Sequence, residues 1–205
     1  MLIRCGLLLV TETSDPKRDD AALTEVQSLL TAGLEDGLLH LASRIYAAPP
    51  RYQVEETLRD WCDEEELDLI VTVGGTFPAP GPSEQQIVPE ATAAVLERTM
   101  PSLSQTMRAH AAQAHPLALL DRGMAGIRGR TLIVNLPGGQ ELPAAFLESI
   151  LDLLPLIAAR LASEEEAPAI DAVQIPPAHE FTQPKSGALD QEEFAAFLQR
   201  RNRGK

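Results

Sequence analysis

The segment Leu67-Asp-Leu-Ile-Val-Thr-Val-Gly-Gly-Thr76 holds an apolar, β-branched run that stops at two glycines and a threonine. Such a run reads as a buried parallel strand, Asp68 to Val73, opening into a tight loop. In an open α/β sheet, the loop leaving the carboxyl end of a strand is where ligands bind. Gly74 and Gly75 let bare backbone N–H groups approach an anion, and Thr76 adds a hydroxyl donor.

Working outward, Leu2 to Val10 reads as a first strand. Asp20 can cap a helix with Leu23, Val26, Leu29 and Leu30 on its apolar face, stopped by Gly33. Leu38 to Ala47 reads as a second strand, ended by Pro49-Pro50, and Val54, Leu58 and Trp61 share one helical stripe. Phe77 to Val88 is an irregular loop. Pro89 suits the first turn of a helix that buries Ala93, Leu96 and Met100, and Pro101 ends it before a helix from Leu103 to Ala112. Leu117 to Leu120 and Thr131 to Leu136 read as short strands joined by a glycine-punctuated turn. Pro143 starts a long helix through Leu147, Ile150, Leu154 and Ile157. Strands alternating with helices predict a three-layer α/β/α sandwich around a mostly parallel sheet.

The 205 residues suit one domain over 1–162 and a C-terminal extension over 163–205. In the extension, 163–169 reads as acidic linker and 170–177 as an extended segment. Asp190 and Glu193 make a capping box for a short helix. Pro176 to Gly187 is expected to fold back toward the ligand cleft, where Lys185 offers a cation.

Hydrophobic residues make up 44% and aromatics 4%, so the core must be built mainly from Leu, Ile, Val and Ala. No apolar run reaches the length of a membrane span, and the amino terminus lacks a signal-peptide layout. The expectation is a cytoplasmic protein with no membrane partner. A formal net charge of −13 argues against a nucleic-acid partner. The acidic excess lies in runs such as 63–66 and 164–166, whereas between residues 68 and 162 eight acids face six arginines. That balance leaves room for a phosphate-bearing ligand.

Cys5 and Cys62 lack metal-ligand spacing and read as buried free thiols. His40, His110, His115 and His179 share no metal spacing and pair with no credible nucleophile. There is no Walker-type Gly-Lys-Ser/Thr motif and no Gly-x-Gly-x-x-Gly after the first strand. With lysine only at positions 17, 185 and 205, a nucleotide is expected to be held by backbone amides, hydroxyls and arginine.

Beyond Gly74-Gly-Thr76 come Pro89-Glu-Ala-Thr92, then Leu119-Leu-Asp-Arg-Gly-Met-Ala-Gly-Ile-Arg-Gly129, then Asn135-Leu-Pro-Gly138. In this order the motifs resemble the molybdenum-cofactor biosynthesis domain shared by molybdopterin adenylyltransferases and their molybdopterin-binding relatives. The resemblance covers most of residues 3 to 160, and Gln183-Pro-Lys-Ser186 adds a short match. It implies a fold of the molybdopterin-binding-domain type. The implied activity is transfer of AMP from Mg-ATP to molybdopterin, releasing pyrophosphate, by a homotrimer that can work with other molybdenum-cofactor enzymes.

By the same resemblance, Gly74, Gly75 and Thr76 would cradle phosphate. Arg122, Asn135, Pro137, Gly138 and Gly139 would line the pterin or nucleotide pocket. Ser14 and Asp15 fit a Ser-Asp pair close to the pterin, or simply a turn before Pro16. Asn135 could instead orient the glycine turn that follows it.

The chain also departs from the family pattern. Phe77 stands where a glycine follows Gly-Gly-Thr. Gln86 replaces the aspartate before Val-Thr-Pro, and Asp121 replaces the serine of Leu-Ser-Arg. Pro137-Gly-Gly-Gln140 and Pro50-Arg-Tyr52 alter two further turns. Two anions must meet at the α-phosphorus of ATP, so a Mg²⁺ site matters. The catalytic candidates are Asp121 and Gln86, and the metal-ligand candidates are Asp121 and Glu84. Two other readings are a non-catalytic homologue that binds a pterin or nucleotide, and a competence-damage-type nucleotide hydrolase domain.

Overall fold

The computed structural model describes residues 2–11, 16–33, 39–79 and 86–162. The 163–205 extension, with the fold-back and terminal helix expected there, lies outside the described residues, as do Ser14, Asp15 and Glu84. The elements in chain order are β1 (Ile3–Thr11), α1 (Pro16–Gly33), β2 (Leu39–Ala47), α2 (Arg51–Asp63), β3 (Leu69–Val73), α3 (Val88–Val95) and β4 (Arg98–Thr99). They continue with α4 (Pro101–Ala111), a 3₁₀ turn (Pro116–Leu120), β5 (Ala125–Arg128), β6 (Thr131–Leu136), α5 (Leu142–Glu148), a second 3₁₀ turn (Leu151–Leu153) and α6 (Leu154–Ala162).

One six-stranded sheet runs in the order β2-β1-β3-β6-β5-β4. The first four strands are parallel, and β5 and β4 add an antiparallel edge. Alternation along the strands feeds two separate cores. Cys5, Leu7, Leu9, Val71, Val73, Val134 and Leu136 pack with α1, α4, α5 and α6. Leu8, Val10, Ile70 and Ile133 point the other way, against Val54, Leu58 and Trp61 of α2 and Val88, Ala91 and Val95 of α3. The three-layer α/β/α expectation is therefore met. At β1 a glycine is needed on the second face: a Cβ on Gly6 would sit 2.6 Å from the Trp61 ring.

Several local expectations are corrected. Helix α1 begins at Pro16, so Asp20 lies within it and is not its cap. Helix α3 ends at Val95 and buries Val88, Ala91, Thr92 and Val95, leaving Ala93 exposed. The chain then turns extended to pair β4 with β5, which is why the period-3.6 pattern does not continue to Met100. Leu117 to Leu120 form a 3₁₀ turn, and β6 is paired instead by Ala125–Arg128. Only Ala118 of that turn is buried, so its leucines carry no strand-like burial. The long final helix is broken at Leu151–Leu153 into α5 and α6. Cys5 is fully buried, its thiol pushed up to about 12 by desolvation. Cys62 is partly exposed, and burial still pushes its thiol to about 11.

Among the described residues no single helix is long and apolar enough to cross a membrane.

Candidate anion site at the strand ends

The strand order switches between the parallel neighbours β1 and β3: β1 connects outward to β2, whereas the chain leaving β3 runs toward the opposite edge of the sheet, to β4. The crevice beyond the carboxyl ends of such strands is the ligand position of open α/β sheets. Gly74, Gly75 and Thr76 leave β3 there, and Pro137, Gly138 and Gly139 leave the neighbouring β6. The two glycine loops lie close together: a Cβ on Gly138 would stand 3.5 Å from the Gly74 Cα.

Gly74 and Gly75 are glycines by necessity. Gly74 has φ +92° and brings its Cα so near β1 that a Cβ would lie 2.2 Å from the Val10 carbonyl oxygen. Gly75 has φ +69°, with Val88 of α3 closing on it. The Gly74 N–H donates to the Leu136 carbonyl at 3.0 Å, and the Gly75 carbonyl accepts from the Val88 N–H at 3.1 Å. For the Gly75 and Thr76 N–H groups no acceptor is found among the described residues, although both residues are buried. Buried amides without an acceptor are rare in folded proteins and call for an oxygen from ligand or solvent.

Asp121 closes one side of the loop. Its side chain is 1% exposed, and its Oδ2 accepts from the Gly123 N–H at 3.0 Å and from Arg108 Nη1 at 3.3 Å. Arg108 Nη1 also donates to the Gly123 carbonyl at 2.7 Å. Desolvation raises the Asp121 pKa above the ordinary carboxylate range, opposed by the nearby Thr76 hydroxyl, the Arg108 charge and the Gly123 amide. Thr76 Oγ1 lies close enough to moderate that charge. Yet neither Thr76 Oγ1 nor Asp121 Oδ1 has a partner in hydrogen-bond geometry, and both are buried.

Arg122 donates its backbone N–H to the Thr76 carbonyl at 3.0 Å, and its guanidinium pairs with Glu90 of α3. Gln86 has its amide oxygen committed: Oε1 accepts from the Phe77 N–H at 2.6 Å. Asn135 is 0% exposed. Its Nδ2 donates to Thr72 Oγ1 at 2.9 Å and Thr92 Oγ1 at 3.0 Å, and its Oδ1 accepts from the Met124 N–H at 3.2 Å. Asn135 is therefore a brace inside the sheet that ties β3, β6 and α3 together beneath the loop.

The structure thus gathers Gly74, Gly75, Thr76, Arg122, Pro137, Gly138 and Gly139 at one end of the sheet, with Asp121 enclosed beside Thr76. Sequence reasoning missed Arg108, Glu90 and the threonines that Asn135 bridges. The signal for Arg108 was its spacing from Ser104, four residues earlier on α4, whose hydroxyl it approaches at 3.4 Å.

The described residues offer a magnesium ion no ready-made cluster of carboxylates. Among them no group of three or more His, Cys, Asp or Glu side chains could hold a metal. Asp121 and Glu90 are each already paired with a guanidinium.

A mostly parallel α/β sandwich whose strand ends carry glycine loops, with the Gly75 and Thr76 N–H groups lacking an acceptor among the described residues, has the architecture of an open-sheet α/β ligand-binding domain. Residues 29–159 match the family described as "Probable molybdopterin binding domain", and the chain belongs to that family. It is 34% identical over 154 residues to the molybdopterin adenylyltransferase of Haemophilus influenzae, covering 74% of each chain. It is 31% identical over 151 residues to that of Escherichia coli K12, covering 73% of this chain and 74% of the relative. A Helicobacter pylori molybdopterin adenylyltransferase is 39% identical over 108 residues, and the chain spans only 59% of that relative's length. Among solved structures it is similar to the molybdopterin biosynthesis enzyme MoaB of Thermus thermophilus, with TM-score 0.67 and 34% identity over 78% of this chain and 96% of that one. The molybdopterin biosynthesis Mog protein of Mycobacterium ulcerans is similar with TM-score 0.63 and 29% identity over 78% and 99%.

Proposed function

We propose that this protein is a molybdopterin adenylyltransferase, moving AMP from ATP, supplied as Mg-ATP, onto the phosphate of molybdopterin. The observation that carries this reading is the pair of buried N–H groups of Gly75 and Thr76 without an acceptor among the described residues, at the strand ends of a chain from this family. In the reaction, a phosphate oxygen of the pterin forms a bond to the α-phosphorus of ATP. The bond from that phosphorus to the bridging oxygen of the β-phosphate breaks, and pyrophosphate leaves with the electron pair.

The chain's own contribution is positioning and charge. Backbone N–H groups and the Thr76 hydroxyl bind phosphate oxygens, and the closeness of the two side-chain-free glycine loops allows close approach of the two anions. Arg122, 39% exposed, held by Glu90 and bonded through its N–H to the Thr76 carbonyl, offers a cation beside the loop. Magnesium enters with the nucleotide, because Asp121 and Glu90 beside the site are each already paired with a guanidinium. The assembly proposed for this activity is a homotrimer.

The test is transfer of label from α-labelled ATP to molybdopterin by the purified full chain, with pyrophosphate release followed in parallel. A second reading is favoured by the pairing of Asp121 with Arg108 and of Gln86 with Phe77: a homologue that binds a phosphate-bearing pterin or nucleotide without transferring AMP. Binding of ATP and pterin with no labelled product establishes that reading and removes the first.

A further inference from the structure

We infer that Gln86 is a positioning residue that clamps Phe77 at the mouth of the anion site, so that the Phe77 ring serves as a stacking wall for the planar heterocycle of a phosphorylated ligand. The inference rests on the phosphate-binding reading above and adds what that ligand must carry besides phosphate.

Phe77 directly follows the Gly74-Gly75-Thr76 loop. It is partly exposed and belongs to neither hydrophobic core, whereas Phe146 is buried in the first. A phenylalanine that neither described core claims, next to amides with no acceptor among the described residues, keeps an exposed part that a ligand can meet. Its backbone is held, because the Phe77 N–H donates to Gln86 Oε1 at 2.6 Å. Gln86 itself sits at φ +55°, a left-handed backbone that a non-glycine residue adopts only when its surroundings impose it. Ile87 and Val88, both buried, anchor the residue from the α3 side. The residue that follows the glycine loop and a residue two positions before α3 are therefore bonded to each other.

The chemistry of the acceptor matters. An amide oxygen closes the loop without adding charge, so the field at the Gly75 and Thr76 amides stays favourable to an anion. A carboxylate at position 86 could accept the same hydrogen bond but would repel the phosphate. An aromatic wall contributes stacking to any heterocycle with a π-face, and neither a purine nor a pterin is excluded by it.

The experiment measures binding of ATP, a pterin triphosphate and inorganic triphosphate by calorimetry in metal-free buffer. The parent, Phe77→Leu, Gln86→Ala and Gln86→Glu full chains are compared. Phe77→Leu is expected to weaken binding of at least one heterocyclic triphosphate about tenfold while changing inorganic triphosphate less than about twofold. Gln86→Ala should reproduce that selective loss more weakly. Gln86→Glu should weaken all three ligands, inorganic triphosphate included. Loss confined to ATP assigns the wall to the adenine, and loss confined to the pterin assigns it to the pterin. Equal affinity of Phe77→Leu and the parent for all three ligands overturns the wall and spares the phosphate site. A parent chain that binds none of them overturns both.

Discussion

Asn135 shows how much one buried side chain can organise. Both of its amide hydrogens and its oxygen are bonded, to Thr72, Thr92 and the Met124 N–H, in a spot with no solvent access. Its replacement by Ala would leave these partners to find others inside the fold, so Asn135→Ala is expected to lower stability by about 3 kcal/mol. Urea unfolding reads this directly, and a loss below about 1 kcal/mol would refute the brace. Asp121 makes a pH-dependent prediction. Its native pKa is raised, chiefly by desolvation, so the native state binds its proton more tightly than the unfolded chain does. The contribution of this group to stability therefore falls as pH rises from the ordinary carboxylate range through the raised native value. Relative to Asp121→Asn, which cannot titrate, the parent should gain stability as pH is lowered from neutral through that window. Thermal unfolding of both proteins from pH 7 to pH 4 measures the difference; an opposite slope would mean that Arg108 and Thr76 outweigh burial.

At the scale of elements, the approach of β1 and β3 explains why two glycines look alike in sequence and differ in cost. Gly74 combines φ +92° with a Cβ position 2.2 Å from the Val10 carbonyl oxygen, and backbone cannot step aside as a side chain can. Gly139 has φ +118° but nothing within 4 Å of its Cβ position. Gly74→Ala should therefore cost about 3 kcal/mol or more, from strain and clash together. Gly139→Ala should cost about 1 to 2 kcal/mol, from strain alone. Equal losses in denaturant titrations would show that contact with β1 is not what demands Gly74. The elements also show the limit of periodicity. Trp61, Leu58 and Val54 were readable as one buried stripe because α2 is regular and amphipathic. The 3₁₀ turn at Pro116–Leu120 was not, because a short apolar run has the same composition in a strand and in a turn.

For the whole molecule, the exposed leucines bear on assembly. Leu117, Leu119 and Leu120 are 64%, 68% and 52% exposed within one short turn, more than an isolated surface leucine would explain. The trimer proposed above is expected to show as a mass of three chains in light scattering. If the turn takes part in the contact, Leu119→Glu should shift that mass toward a single chain with little change in helical signal. A strictly monomeric parent across concentrations would remove the trimer and leave the fold intact.

The order of strands and helices, the buried run Leu69–Val73 and the glycine loops beyond β3 and β6 were determined by the sequence itself. Local rules sufficed there: β-branched runs favour buried strands, and glycine marks positive φ. Four ordered motifs further placed the chain in its family. The tertiary structure alone decided which polar groups are available and which are enclosed. Asp121 read as a metal ligand or catalyst, yet the fold encloses it against Arg108 and Gly123. Gln86 read as a catalytic candidate, and the fold has it hold Phe77; Asn135 read as pocket lining or as a support of the glycine turn, and the fold has it brace the sheet. The physical reason is common to all three. A polar side chain in a low-dielectric interior is governed by the partners that packing brings within about 3 Å, and those partners come from positions far away in sequence.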